Sequence, residues 1–393
     1  MKFLTRTILI LSFVSLFNDV ASEILTPVMP IYLKSIGFSI LLIGVLEGVA
    51  EATAGLSKGY FGKISDQRGK RLPFIRLGYA FSAFAKPMMA IFKFPLWIFG
   101  ARTLERLGKG IRTGARDAML SDEAAPGTKG KVFGFHRAMD TAGAVLGPTL
   151  ALIYLHFYPG NYRELFLITF APGIVATSLT FLIKEKPHQP SAAKRVSFFS
   201  FLHYWKESSP AYRKLVAGLL VFALFNSSDI FLLLKMKDAT HDDSAVIGIY
   251  IFYNIVYALT SYPIGALGDK IGLKTVFLAG LFLFAAVYAG MAFFYEGHWF
   301  YVLFFLYGIY AASTEGISKA WITNLCKQKD TATAIGTFTA FQSICTMLAS
   351  MITGLLWMTF NAQTAFVASA VVTLLVMIYL MTRAFPDEKR TAD

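Results

Sequence analysis

The sequence predicts an all-α polytopic membrane protein with twelve transmembrane helices in two pseudo-symmetric six-helix bundles. Of its 393 residues, 55% are hydrophobic and only 16% are charged, and the mean hydropathy is +0.55; soluble domains carry about 25% charged residues. Residues 331–382 include no charged residue, and each half of this stretch approaches the ~20 residues that span a bilayer. A charged turn at residues 62–71 recurs at 265–274, which indicates a duplicated membrane domain.

The apolar segments divide into six predicted helices in each half of the chain. Residues 1–183 are expected to form the N-terminal bundle, 184–211 a cytoplasmic linker, and 212–393 the C-terminal bundle. The first segment is too long for a signal peptide, so we expect it to be a retained helix. The predicted helices cover residues 7–33, 40–61, 73–92, 95–117, 131–157, 162–183, 212–235, 245–266, 274–295, 299–322, 331–358 and 363–383. Aromatic residues at 196–205 are expected to lie in the lipid headgroup layer as a short interfacial helix.

The distribution of basic residues predicts the orientation. The net charge is +13, and about 31 of the 37 Lys and Arg residues fall on one side of the predicted membrane. This bias predicts a multi-pass protein of the bacterial inner membrane with both termini in the cytoplasm. The basic charge is therefore assigned to topology and not to a nucleic-acid partner.

The sequence shows no enzyme constellation. It has no nucleophile elbow, no Gly-rich phosphate loop after a strand, and no His or Cys cluster with metal-ligand spacing. The two cysteines are too few and too poorly spaced for a disulfide framework. We therefore predict a non-enzyme without metal or cofactor, powered by the proton gradient, that works as a monomer in the lipid bilayer on a small-molecule substrate.

Acidic residues inside apolar helices are the candidate proton carriers. Asp19 and Glu23 stand four residues apart on the first helix, and Glu47 and Glu51 repeat this spacing on the second. Ionisable groups are costly in a membrane, and clustered carboxylates cannot all ionise, so at least one could exchange a proton near neutrality. The alternative is static pairing with basic residues inside the helices, namely Lys86, Arg137 or Lys319.

Polar and aromatic residues near the middle of the helices are the candidate substrate contacts. The triplet Leu16–Asn18 recurs as Leu224–Asn226, so the seventh helix is expected to mirror the first. Because residues 226–229 lie inside a predicted helix, we expect this polar belt to face a cavity and not to end a helix. The predicted substrate-binding residues are Asn18, Asn226, Asp229, Tyr250, Tyr253, Tyr257, Arg106 and Arg112.

The turn at 62–71 resembles the signature loop between helices 2 and 3 of the major facilitator superfamily, and residues 265–274 resemble its second copy. The resemblance covers nearly the whole chain. It implies that Asp66 sits near the N-terminus of helix 11 and near an Arg of helix 4, for which Arg112 or Arg106 is the candidate. It also implies a cytoplasmic gate, whose residues in the two turns would be Gly62, Asp66, Arg71 and Asp269.

The fifth helix resembles the motif of drug and proton antiporters. Gly134, Gly143, Gly147 and Pro148 fit the motif, which implies close packing of helix 5 against helix 8. The family pattern ends in a Gly pair, where this chain has Ala151 and Leu152. We count Gly143, Gly147 and Pro148 among the gate residues.

Together these features predict a secondary active, proton-coupled transporter that works by alternating access, as an efflux antiporter. One alternative is a proton-coupled uptake symporter, for example of a siderophore or an organic anion attracted by the arginines of helix 4. Another is a divalent-metal carrier that uses Asp19, Glu23 and His136. The third is a non-transporting receptor on a carrier fold.

Overall fold

The computed structural model describes residues 4–26, 28–38, 40–185, 199–240, 243–294, 297–383 and 385. Within these residues the regular structure is helical throughout. The α-helices are α1 (Arg6–Glu23), α2 (Met29–Ser35), α3 (Ile40–Arg68), α4 (Leu72–Ile91), α5 (Pro95–Glu123), α6 (Lys129–Phe157), α7 (Tyr162–Ile168), α8 (Phe170–Leu179), α9 (Tyr204–Glu207), α10 (Pro210–Ala223), α11 (Ile230–Thr240), α12 (Asp243–Ile271), α13 (Leu273–Phe293), α14 (Gly297–Asn324), α15 (Thr331–Thr359) and α16 (Ala362–Thr382).

Every predicted helix has a counterpart in the structure. Nine correspond to the single helices α3 to α6 and α12 to α16, while the first, sixth and seventh are each built from two segments. Among the described residues, six helical stretches are long and apolar enough to cross a membrane by themselves: Lys129–Phe157, Tyr162–Leu182, Leu273–Phe293, Gly297–Asn324, Gln328–Thr359 and Ala362–Thr382. The helices α3 and α5 have 29 residues each but carry more charged side chains.

The first and seventh predicted helices are both broken, but not at equivalent residues: Asn226 lies in the break of the seventh, whereas its counterpart Asn18 lies inside α1. In the first, α1 ends at Glu23 and α2 begins at Met29; in the seventh, α10 ends at Ala223 and α11 begins at Ile230. The expectation that the polar belt at 226–229 does not end a helix is therefore wrong. Its short polar side chains offer the backbone alternative hydrogen bonds: the Ile230 amide donates to Ser228 Oγ at 3.4 Å, and the Ser228 amide donates to Ser350 Oγ at 3.3 Å.

Most of the predicted charged turn at 62–71 is helical. The helix α3 continues to Arg68, and only residues 69–71 separate it from α4. Gly69 reverses the chain with a φ of 59°, a left-handed conformation that favours glycine. In the second copy, Gly272 is the single residue between α12 and α13, and its φ is 100°.

The chain forms two compact units whose boundaries do not follow the sequence order. Unit 1 contains Met1–Glu123, Met139–Glu207 and Lys327–Ala340. Unit 2 contains Ala124–Ala138, Ser208–Cys326 and Phe341–Asp393. The start of α15 thus belongs to unit 1 and the start of α6 to unit 2.

Small residues allow the helices within each unit to approach closely, as membrane helices commonly do. In unit 1, a Cβ on Gly78 of α4 would lie 2.6 Å from the carbonyl oxygen of Gly108 in α5. In unit 2, a Cβ on Gly280 of α13 would lie 2.8 Å from the Cβ of Ser313 in α14. Aromatic rings also pack between helices there, since Phe222 of α10 lies edge-on against Phe284 of α13 at 5.1 Å.

The described part of the predicted interfacial segment packs into unit 1. Residues 196–198 lie outside the described residues, and Ser200–His203 forms a 3₁₀ helix before α9. The Phe201 side chain is buried, and a Cβ on Gly59 would lie 2.5 Å from its ring. The expectation that these aromatics lie in the headgroup layer is therefore wrong for Phe201, because the glycine leaves a space that its ring fills.

Candidate functional site

Asp19 and Glu23 lie on α1, where α6 packs closely against them. The Asn18 amide donates to Asp19 Oδ1 at 3.1 Å. Cβ atoms on Gly143 and Gly147 would lie 2.9 Å and 2.8 Å from the Cβ atoms of Asp19 and Glu23. Within the part of the chain that the structure describes, neither carboxylate has a basic group within 4.0 Å. These two acids are therefore not held in ion pairs.

Glu47 and Glu51 are ion-paired with α5. Arg102 binds Glu47 in a bidentate manner, with Nε 2.9 Å from Oε1 and Nη2 2.8 Å from Oε2. Arg106 lies 3.7 Å from Glu47 and 3.6 Å from Glu51. The alternative prediction of static ion pairing is therefore correct for these two acids. Their partners are Arg102 and Arg106, and not the predicted Lys86, Arg137 or Lys319.

The arginines predicted to bind substrate are engaged inside unit 1. Arg106 lies among Glu47, Glu51 and Glu105. Arg112 is buried, donates to Ser82 Oγ at 2.5 Å and covers the ring of Tyr79 at 4.6 Å. Cation–π contact and a hydrogen bond together hold this guanidinium between α4 and α5.

Asp66 caps the N-terminus of α15, as the resemblance implies. Its Oδ2 accepts from the Thr333 amide at 2.6 Å and from Thr333 Oγ1 at 2.7 Å, and its Oδ1 accepts from the Ala332 amide at 3.3 Å. A helix N-terminus favours a negative charge. A Cβ on Gly62 would lie 2.4 Å from the Ala332 carbonyl oxygen, so the absence of a side chain at Gly62 permits this approach.

The arginine that pairs with Asp66 is Arg71, and neither Arg112 nor Arg106 takes that place. Arg71 Nη1 lies 2.9 Å from Asp66, and its Nε lies 2.7 Å from Asp122 at the end of α5. The implied partner is wrong because Arg112 is held by Ser82 and Tyr79, whereas Arg71 directly follows the chain reversal at Gly69. The amide of Arg71 also donates to Glu185.

Burial controls the ionisation of Asp66, which lies at the charged end of α3 beyond its apolar part. Burial raises the pKa of the Asp66 carboxyl to about 6, while the charge of Arg71 and the hydrogen bonds from Thr333 lower it. A buried carboxylate is costly, and these donors offset part of that cost.

Asp269 makes the equivalent contact in unit 2. Its Oδ1 accepts from the Gly130 amide at 2.7 Å and its Oδ2 from the Lys131 amide at 2.8 Å, at the start of α6. A Cβ on Gly265 would lie 2.2 Å from the Gly130 carbonyl oxygen. The two copies of the charged segment therefore cap two different helices with the same pair of residue types, Gly and Asp.

The glycines of the fifth predicted helix pack against two different helices. A Cβ on Gly134 would lie 2.4 Å from the Ser261 carbonyl oxygen of α12, which confirms the implied contact of helix 5 with helix 8. Gly143 and Gly147 instead pack against α1, as described above. The implied packing is wrong for these two, because α6 continues past α12 and meets α1.

Asp229 is the last residue of the break between α10 and α11 in unit 2, and it binds two tyrosines. Its Oδ2 accepts from the hydroxyl of Tyr253 at 2.5 Å, and its Oδ1 from that of Tyr307 at 2.7 Å. The Asn226 amide donates to the Tyr310 hydroxyl at 2.9 Å. The structure thus brings together Asp229 and Tyr253, which the sequence predicted, with Tyr307 and Tyr310, which it missed.

The remaining predicted tyrosines border this cluster. The ring of Tyr250 lies 5.6 Å from that of Tyr253. Tyr257 accepts a hydrogen bond from Arg137 Nε, and Arg137 lies 3.5 Å from Glu315. The signal that could have revealed the missed residues is the spacing of Tyr307 and Tyr310, which places both hydroxyls on one face of α14.

The described residues contain no group of three or more His, Cys, Asp or Glu side chains that could hold a metal ion. His136, the histidine of the predicted metal set, is buried in α6. The metal-carrier alternative therefore gains no support from the described residues.

The chain is similar to known membrane transporters over nearly all of its length. The family model for the Major Facilitator Superfamily matches residues 11–236 and 215–393. An uncharacterized MFS-type transporter of Methanocaldococcus jannaschii is 35% identical over 360 residues, covering 90% of this chain and 89% of that protein.

Two relatives with a stated function are more distant. The staphyloferrin B transporter of Staphylococcus aureus is 24% identical over 391 residues, covering 93% of this chain and 90% of that protein. A multi-drug resistance efflux pump PmrA homolog of Lactococcus lactis is 23% identical over 288 residues, covering 69% of this chain and 68% of that protein.

A solved structure shares the fold. The human organic anion transporter MFSD10 has a TM-score of 0.80 at 16% identity, covering 95% of this chain and 99% of that one. Together with the family match, this similarity confirms the predicted fold class, an all-α membrane protein with twelve helices in two bundles.

Proposed function

The chain belongs to the major facilitator superfamily of transporters, and from this premise we propose that it is a proton-coupled efflux antiporter of a small solute. It is a multi-pass membrane protein and a transporter, not an enzyme. The proton gradient supplies the energy, with no cofactor, and the protein works as a monomer by alternating access. We place it in the bacterial inner membrane with both termini in the cytoplasm.

The observation that carries the proposal is the state of Asp19. This carboxylate lies in a membrane-spanning segment without an ion pair in the described structure. The charges of Asp140, Glu23, Lys109 and Arg112 act on it. An ionised carboxylate without an ion pair is unfavourable in a membrane. Binding a proton removes its charge, so such a group is suited to taking up and releasing a proton.

Glu47 and Glu51 receive a different role. Their ion pairs with Arg102 and Arg106 link α3 to α5, so each of these carboxylates already has a cationic partner. We therefore assign the coupling proton to Asp19, with Glu23 as the neighbouring acid, and treat Glu47 and Glu51 as structural.

The substrate contacts follow from the polar residues near the breaks in the first and seventh spans. Broken helices in transporters commonly mark binding sites, because unpaired backbone groups are tolerated there. We propose Asn18 on α1, Asn226 between α10 and α11, and Tyr250 on α12 as substrate contacts. The caps formed by Asp66 and Asp269 are proposed to hold the cytoplasmic gate closed.

Efflux is supported by the similarity to the multi-drug resistance efflux pump homolog of Lactococcus lactis and by the close contact of Gly134 with α12. Proton-coupled uptake of a siderophore is the second candidate. The similarity to the staphyloferrin B transporter, which covers 93% of this chain, favours a siderophore as the substrate, and the direction of transport is left to the experiment.

Reversing a pH gradient across proteoliposomes separates these two functions. Ethidium is the cationic probe and iron-loaded staphyloferrin B the anionic one. An antiporter accumulates ethidium when the vesicle interior is acidic and loses it when the gradient is reversed. Accumulation of the siderophore with an acidic exterior would establish symport and overturn the efflux proposal.

A further inference from the structure

Asp229 is the acidic residue of unit 2 that lies at a break in a membrane-spanning segment. It lies in the broken stretch between α10 and α11, directly before α11 begins at Ile230. Each of its carboxylate oxygens accepts a tyrosine hydroxyl, at 2.5 Å from Tyr253 and 2.7 Å from Tyr307. These lengths are those of strong O–H···O⁻ hydrogen bonds.

Within the described residues, the charge of Asp229 has no ionic partner, because no basic group lies within 4.0 Å of it. The charged groups that act on it are Glu315 of α14 and Arg137 of α6. Arg137 lies 3.5 Å from Glu315, so its positive charge is paired with Glu315. An ionised Asp229 is thus a net negative charge in a membrane-spanning segment, which is costly without a compensating cation.

The packing around Asp229 limits what that cation can be. The side chains of Tyr253 and Tyr307 are only 6% and 3% exposed, and their rings lie 5.5 Å apart. The Ser228 amide binds Ser350 of α15 directly beside the site. The other titratable groups that face the cluster are Tyr250 and Tyr257 of α12, Tyr288 of α13 and Tyr310 of α14. A bulky organic cation does not fit among rings so closely packed, whereas a proton needs no space.

We propose that Asp229 is a second proton-binding site of the transporter, held by the hydroxyls of Tyr253 and Tyr307, and not a ligand of the substrate. When the proton binds, one carboxylate oxygen becomes an O–H donor and the tyrosine at that oxygen turns its hydroxyl to accept. When the proton leaves, both tyrosines donate again. The two tyrosine hydroxyls can therefore hydrogen-bond the carboxyl group both when it is ionised and when it is protonated. A carboxylate with a purely structural role would need hydrogen-bond partners for the ionised state alone.

This assignment extends the proposed proton coupling but can be tested without transport. Infrared difference spectra of the lipid-reconstituted full-length protein, titrated from alkaline to acidic pH, detect the C=O stretch of a protonated carboxylic acid. We expect Asp229→Asn to remove one such component. Tyr253→Phe and Tyr307→Phe should move it to higher frequency, because each removes one hydrogen bond. Tyr310→Phe is the matched control, since its hydroxyl binds Asn226, and it should leave the component in place.

Two results would overturn the proposal. One is an Asp229→Asn spectrum with the same carboxylic components as the unmutated protein, because Asp229 then takes up no proton. The other is loss of the component when sodium replaces potassium in the buffer at constant pH, which would make the site a sodium site. Asp19→Asn should retain the Asp229 component, so a failure of the Asp19 assignment in transport leaves this result intact.

Discussion

Five acids of this protein fall into two groups according to their partners. Asp66, Glu47 and Glu105 are bound by arginines within their own unit, whereas Asp19 and Asp229 have hydrogen bonds but no ion pair in the described structure. Removing one member of a buried pair leaves an uncompensated charge, while removing an unpaired acid does not. The first group should therefore respond to mutation through stability and the second through proton exchange.

The pKa of Asp66 predicts a pH dependence of stability. The pKa is about 6, above the ordinary value of 3.8, so the folded protein binds this proton more tightly than the unfolded chain does. Its contribution to stability is therefore present below pH 3.8 and is lost as the pH rises through about 6. Because Asn cannot release a proton, Asp66→Asn should lack this loss.

Thermal unfolding in detergent at about pH 4 and about pH 8 tests this expectation. The unmutated protein should lose up to about 3 kcal/mol more stability over this range than Asp66→Asn. All other groups titrate equally in both proteins, so the difference between their two pH dependences of stability reports the titration of Asp66 alone. Parallel curves of unfolding temperature against pH would contradict the raised pKa.

Arg102 is predicted to be essential for the stability of unit 1. It binds both Glu47 and Glu105, and Glu105 is only 5% exposed. Arg102→Met should destabilise the fold by about 3 kcal/mol, because Glu105 keeps its charge without its main partner. The loss should be smaller when Glu105→Gln is present as well.

The exposed cation Lys93 provides the control for that experiment. Lys93 lies after the end of α4, and Lys93→Met should leave the unfolding temperature unchanged, as surface substitutions usually do. Equal losses for Arg102→Met in the presence and absence of Glu105→Gln would show that the pair itself contributes nothing.

At the scale of helices, glycines determine which segments meet. The caps of α15 and α6 form because Gly62 and Gly265 let a backbone carbonyl approach where a Cβ would stand. The approach of α6 to α1 depends in the same way on Gly143 and Gly147. These contacts are between backbones, so a side chain at such a position cannot be accommodated by a change of rotamer.

Two glycines of α12 give a matched pair of variants. A Cβ on Gly265 would lie 2.2 Å from the Gly130 carbonyl oxygen, while one on Gly248 would have no atom within 4 Å. Gly265→Ala should destabilise the protein by about 1–3 kcal/mol. Gly248→Ala should be neutral or stabilise by up to about 1 kcal/mol, because alanine favours the helix. Equal shifts in unfolding temperature would contradict the close contact.

The sequence predicted the helices well and their breaks poorly. The length of each apolar run determines where a membrane-spanning helix lies, so the bounds of the twelve helices were predicted to within a few residues in most cases. The prediction was too short where a helix continues into charged sequence, as α3 does up to Arg68. The break between α10 and α11 was missed because Asn226 to Asp229 could equally face a cavity from an intact helix. Ion-pair partners such as Arg71 were missed because they depend on how each helix is rotated, and apolar faces look alike toward lipid and toward protein.

Across the whole molecule, the duplicated sequence gives each unit the same kind of helix cap. Asp66 caps α15 in unit 1 and Asp269 caps α6 in unit 2. This repetition could be predicted from the offset of the two copies. Asp19 and Asp229 do not share that offset, since Asp19 lies inside α1 and Asp229 lies in the break before α11. The differences between the units could not be predicted, because Asp19 has an Asn18 amide beside it whereas Asp229 is bound by tyrosines from two other helices.

Transport of ethidium into proteoliposomes with an acidic interior tests whether Asp19 carries the coupling proton. We expect Asp19→Asn to abolish accumulation driven by the pH gradient but to retain exchange of ethidium across the membrane without a gradient. Glu47→Gln is the control, because it also neutralises a carboxylate, but one that is ion-paired, and it should keep gradient-driven accumulation. Full gradient-driven accumulation by Asp19→Asn would show that Asp19 does not carry the proton, and no ethidium movement in the unmutated protein would overturn the efflux proposal.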